Sequence, residues 1–111
     1  MRELSAKELA ASPAGKILVD IRRPEEWRTT GVIEGCHLLT FHKEDIAGWL
    51  TGLTRIASPE DDLVLVCRTG TRTGIILDFL YSQTPYDRAR HLTGGILDWI
   101  GSGLPVVAAK K

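Results

Sequence analysis

Cysteine is scarce in this chain: two in 111 residues, Cys36 and Cys67, with no Cys-x-x-Cys pair. That excludes a disulfide framework and a cysteine-based zinc site. The three histidines, His37, His42 and His91, do not fall at ligand spacing either. No apolar run approaches the ~20 residues that span a bilayer, and none near Met1 resembles a signal peptide. An excess of either charge sign is missing too. Lys plus Arg and Asp plus Glu each number 14, leaving formal charge zero. That balance speaks against nucleic acid and against an anionic membrane surface, both of which draw on a clustered basic excess. The expected compartment is reducing cytoplasm.

What the chain does contain is enough apolar residue, 43%, for one ordinary core, and residues 1–111 read as a single domain. There is no repeat, low-complexity tract or linker. Short apolar runs alternate with helix-like stretches, the pattern of an open, mainly parallel sheet covered by helices, an α/β fold. Ser5-Ala-Lys-Glu8 has capping-box spacing and opens a short helix. Strands are expected over Ile17–Ile21, His37–Thr40, Leu63–Val66 and Arg90–Leu92. Helices are expected over Glu25–Arg28, Lys43–Leu53 and Arg72–Ser82, and around Ile96, Trp99 and Ile100. Ser58-Pro-Glu-Asp-Asp62 is turn chemistry.

One junction stands out. Leu63-Val-Leu-Val66 runs into Cys67, then Arg68-Thr-Gly-Thr71 and Arg72-Thr73, where a helix begins. Sites in open parallel sheets form beyond the carboxyl ends of the strands. A loop this short should curl around the sulfur, with Gly70 at positive φ and backbone N–H groups turned inward as an anion-binding nest. The helix start adds unsatisfied N–H groups and its positive dipole end. Arg68 and Arg72 add fixed charge, while Thr69, Thr71 and Thr73 offer hydroxyls whose directions stay open at this stage. Such surroundings favour a thiolate, the form in which cysteine is a nucleophile. The bland alternative is a small buried hydrophobe at a strand end, with two solvated arginines beside it.

The motifs, taken in order, resemble those of a single-domain rhodanese, a sulfurtransferase. They are Asp20-Ile-Arg22 with Pro24-Glu-Glu-Trp27, then Gly31-Val-Ile-Glu-Gly-Cys36, then Cys67-Arg-Thr-Gly-Thr-Arg72. The last is Gly94-Gly-Ile-Leu-Asp-Trp99 followed by Gly103-Leu-Pro-Val106. Val32, Glu34 and Cys36 depart from the family's usual turn, which has His, Pro and Ala there. The resemblance implies a sheet flanked by helices on both faces. It also implies a Cys67 persulfide that takes sulfane sulfur from a small anionic donor such as thiosulfate and passes it to cyanide or a thiol. A sulfur-relay protein is a further partner it allows, and no metal or organic cofactor is needed. Rhodanese-like phosphatases and arsenate reductases have one more residue in this loop. Only four separate Cys67 from Arg72 here, the sulfur-type length. The alternative reading is a carrier or partner-docking module with little turnover on small donors.

Other candidates have structural readings. Cys36 is taken as a small residue in a tight turn rather than a resolving thiol. The resemblance gives Asp20 and Arg22 a mainly structural role, with Arg22 paired to Glu25 or Glu26. The three histidines are assigned to surface or strand positions, Trp27, Trp49 and Trp99 to the core, and Asp78 to a solvent-facing helix side.

Overall fold

The computed structural model describes residues 2–109. Five strands alternate with five helices: β1 (Glu3–Leu4), α1 (Ala6–Ala11), β2 (Lys16–Asp20), α2 (Pro24–Thr30), β3 (His37–Leu38), α3 (Ile46–Ile56), β4 (Asp62–Val66), α4 (Thr71–Gln83), β5 (Arg90–Leu92) and α5 (Gly95–Gly101). The sheet order is β1-β5-β4-β2-β3, and all four pairings are parallel. Parallel neighbours need crossover connections, which the helices supply.

Both faces of the sheet are covered, which is why the central strands read as continuous apolar runs. Side chains alternate across a strand. In β4, Leu63 and Leu65, with Cys67 beyond its end, join the cluster containing Trp49, Leu53, Ile76, Leu77 and Leu80 of α3 and α4. Val64 and Val66 join the opposite cluster, with Leu9 of α1 and Ile96 and Trp99 of α5. The tryptophans Trp27, Trp49 and Trp99 are all buried.

The expected elements are present with shifted ends. Ser5 and Glu8 form the capping box, with Glu8 N–H donating to Ser5 Oγ and Ser5 N–H to Glu8 Oε1. α3 starts at Ile46 rather than Lys43, because the Asp45 carboxylate accepts from Gly48 N–H and caps it there. β3 stops at Leu38 instead of reaching Thr40. β1 was not expected. Two residues carry no periodicity, and this edge strand exists through its register with β5, Glu3 opposite His91 and Leu4 opposite Leu92.

The strand order reverses between β2 and β4. The chain leaves β2 for β3 on one side and β4 for β5 on the other, so the loops after β2 and β4 diverge and leave a crevice. Such a switch point is where open α/β sheets place their ligands. Cys67 follows β4 there.

Candidate active site

Cys67 lies at the floor of its loop, 1% exposed. Gly70, at φ +97°, turns its N–H toward the sulfur at 3.1 Å. A residue with a Cβ is disfavoured in that conformation. The N–H groups of Arg68, Thr69, Thr71 and Arg72 make no hydrogen bond among the described residues. The carbonyls of the same loop are occupied: Ile96 N–H donates to Cys67 O at 2.8 Å and Leu97 N–H to Arg68 O at 3.2 Å. Peptide units are planar and trans, so pulling these carbonyls toward α5 directs the Arg68 and Thr69 N–H groups away from it. A loop with its acceptors tied back and its donors free is suited to an anion.

The three threonines separate. Thr73 is buried and points inward, its Oγ1 3.4 Å from Cys67 Sγ. The hydroxyls of Thr69 and Thr71 face each other at 3.3 Å on the exposed side. Helical spacing carried the signal for Thr73, which shares a face with Ile76, Leu77 and Leu80.

The two arginines differ from each other. Arg68 is exposed and makes no ion pair among the described residues. Arg72 is not free: its two terminal nitrogens donate to Glu26 of α2, at 3.0 and 2.8 Å. These bonds hold the Glu26 carboxyl down at about 2, helped by Arg23 N–H, and raise the Arg72 guanidinium further. Arg22 does not pair with Glu25 or Glu26. Its guanidinium grips Asp20, with Nε to Oδ1 at 3.0 Å and Nη2 to Oδ2 at 2.8 Å, and both side chains are buried. Asp20 sits two residues back on the same strand end, while Glu26 is claimed by the stronger geometry with Arg72. Arg22 also donates to Thr30 Oγ1 and Gly31 O, which fixes the far end of α2.

A cleft of about 300 Å³ opens beside the loop, lined by Ile21, Arg23, Phe41, Lys43, Arg72 and Ile75 among others. A smaller one joins Arg68 to Glu25, Glu26 and Arg22. Cys36 lies in neither cleft, and it is a free thiol. Burial, then the nearby Asp20 charge, pushes its thiol far up, which makes it a poor nucleophile. His37 and His42 are exposed. His91 is buried, and its ring nitrogens contact Thr73 Oγ1 and Glu3 Oε1. Nothing around His91 in the sequence marked it. Among the described residues no group of three His, Cys, Asp or Glu gathers as a metal site, and no helix is long and apolar enough to cross a membrane.

Residues 5–102 match the family model described as Rhodanese-like domain. The chain belongs to the rhodanese-like domain family. A protein of Allochromatium vinosum named sulfurtransferase is 34% identical to this rhodanese-like chain over 105 residues, covering 94% of it and 90% of the relative. Among solved structures, a rhodanese-related protein from Thermoplasma volcanium aligns at TM-score 0.78 and 23% identity, over 98% of this chain and 100% of that one. A Rhodopseudomonas palustris protein of unknown function, called a possible tyrosine phosphatase, aligns at TM-score 0.77 and 23% identity, over 96% and 85%. At such identities the two structures speak for the shared fold.

Proposed function

We propose that this rhodanese-like protein is a sulfurtransferase that carries sulfane sulfur as a persulfide on Cys67. The carrying observation is the loop itself, a sulfur receiving the Gly70 N–H beside four further unpartnered N–H groups. In the first step the Cys67 thiolate attacks the outer sulfur of thiosulfate or of a persulfide donor. A new S–S bond forms, the donor's S–S bond breaks, and sulfite or a thiolate leaves with the electron pair. In the second step cyanide or a thiolate attacks the outer sulfur and Cys67 departs as thiolate. Loop donors stabilise the anionic persulfide as an oxyanion hole stabilises developing charge. Splitting the transfer this way gives ping-pong kinetics. No metal or organic cofactor enters the route.

Arg68 supplies the mobile charge that draws in a dianionic donor, and Arg72, pinned by Glu26, shapes the wall. Four residues between Cys67 and Arg72 favour sulfur over a tetrahedral phosphate or arsenate. The sulfurtransferase name of the Allochromatium vinosum relative supports the same direction.

Carriage without turnover has one observation in its favour, the near-complete burial of the sulfur. Incubation with thiosulfate and cyanide, read as thiocyanate, decides between them. Turnover in the wild type and none in Cys67→Ser is the expected result. Absence of turnover together with addition of one sulfur atom at Cys67, seen by intact and peptide mass after thiosulfate treatment, would establish the carrier instead. No added sulfur refutes both.

A further inference from the structure

Behind the sulfur a line of polar contacts runs out to the protein surface. Cys67 Sγ is 3.4 Å from Thr73 Oγ1, which is 2.7 Å from His91 Nδ1. His91 Nε2 is 2.9 Å from Glu3 Oε1, which also accepts from Thr93 Oγ1 at 2.7 Å. The three inner side chains are buried, while the Glu3 side chain is 54% exposed. A carboxylate accepts only, so it requires the proton of neutral His91 on Nε2. His91 Nδ1 is then an acceptor, and the Thr73 hydroxyl is its donor. That leaves the Thr73 lone pairs for the Cys67 S–H, with every proton on this line accounted for. Gly70 O, at 3.2 Å, is the longer alternative acceptor for Thr73.

We propose that His91, oriented by Glu3, is a positioning residue that receives the Cys67 proton through Thr73 and so generates the thiolate. The sulfur proton moves to Thr73 Oγ1 as the Thr73 hydroxyl proton moves to His91 Nδ1. Sulfur keeps both electrons of its S–H bond, and an imidazolium forms against the Glu3 carboxylate. The proton returns by the same path, or leaves to water at the exposed Glu3. Other charges around the ring are few. Arg2 lies beside Glu3, its Nε 3.6 Å from Oε2, and its charge is shared with Asp78 of α4 at 2.8 Å. Leu65 of β4, opposite His91 in the sheet, brings no charge. Bonds from Thr93 and His91, with the Arg2 charge, hold the Glu3 carboxyl below its usual range, as the relay requires.

The inference rests on Cys67 as the nucleophile, but its test reads thiolate rather than turnover. Thiolate absorbance is titrated in the ultraviolet for each protein, subtracting the same variant carrying Cys67→Ser. Thr73→Val keeps the shape and removes the hydroxyl; Thr73→Ser restores it. For Thr73→Val and His91→Asn the Cys67 midpoint should rise by about one pH unit, in the first through the lost hydroxyl bond to the thiolate and in the second through the lost imidazolium charge. Thiolate at pH values below the midpoint then falls about tenfold. Thr73→Ser should titrate like wild type. Glu3→Gln, a half-exposed site that leaves the core alone, should raise the midpoint by a smaller amount because it keeps the Nε2 acceptor but not its charge. Nitrogen NMR should find neutral His91 protonated at Nε2. A Thr73→Val curve coincident with wild type, or neutral His91 protonated at Nδ1, overturns the relay. Either result leaves sulfur transfer at Cys67 to stand or fall on thiocyanate formation.

Discussion

Gly95→Ala should be among the most damaging small substitutions in the protein. Gly95 opens α5 at φ +64°, and a Cβ there would lie 2.3 Å from Arg68 O, 2.4 Å from Arg68 C and 2.6 Å from Cys67 O. All three are backbone atoms of the active loop, so no rotamer change relieves the overlap. The left-handed conformation disfavours alanine by ~1 kcal/mol. Overpacking adds ~1–3 kcal/mol. If α5 withdraws, the bonds from Ile96 N–H and Leu97 N–H to the loop stretch, at ~1 kcal/mol each. Withdrawal and overlap are alternatives rather than additions, so we expect ~3 kcal/mol in total. Gly101 is the internal control. It ends the same helix, a Cβ there meets nothing within 4 Å, and its φ is ordinary. Gly101→Ala should be neutral or stabilise by up to ~1 kcal/mol. Urea denaturation of both variants measures the contrast. Gly95→Ala should also lose sulfur transfer under conditions where it is fully folded, because the carbonyls it displaces belong to Cys67 and Arg68. Equal midpoints for the two variants would refute the close approach of α5 to the loop.

Glu26→Gln should destabilise near neutrality. Its lowered carboxyl, about 2 when folded against an ordinary 4.5, is worth about 3 kcal/mol at face value. Arg72 is 43% exposed, and screening brings this to ~1 kcal/mol. A depressed carboxyl stabilises above its unfolded value, so denaturation midpoints of wild type and Glu26→Gln should differ above about pH 5 and converge as pH falls toward about 2. A gap that widens in acid would contradict the pairing. Arg68→Ala should raise the KM for thiosulfate several-fold with a smaller change in kcat. It should also flatten the salt dependence of kcat/KM, since an exposed charge acts by screened attraction; an unchanged salt dependence would show that Arg68 does not steer the donor.

The sequence shows the junction after β4 because the chemistry there is short-range. Apolar residues on both faces mark β4, and Cys67 to Arg72 is contiguous, so strand end, curl and helix start follow from neighbours alone. What it missed depends on distant chain. Glu26 is 46 residues from Arg72, and the sequence points to the nearer Arg22 as its partner until the loops after β2 and β4 are set side by side. Glu3 is 88 residues from His91 and stands in a strand of two residues, too short for any alternation to betray it. Gly94-Gly95 was legible as a helix start, but not as the reason α5 can press on the loop.

These long-range contacts change where the site's positive character comes from. A tally of arginines places it on Arg68 and Arg72, yet the Arg72 charge is balanced at 2.8 Å by Glu26. What remains close to the sulfur is the Gly70 N–H at 3.1 Å, while the other N–H groups of the loop make no hydrogen bond among the described residues. The two bonds from α5 hold the peptide units that carry the Arg68 and Thr69 N–H groups, so these dipoles are fixed before any charge arrives, an arrangement that spares a reorganisation penalty. A side-chain cation would be screened by salt and would lose rotamer freedom on binding. The short loop therefore does by backbone what its arginines suggest by composition. For that reason the glycines at 70 and 95, which bring no side-chain group, set the shape of the loop that holds Cys67.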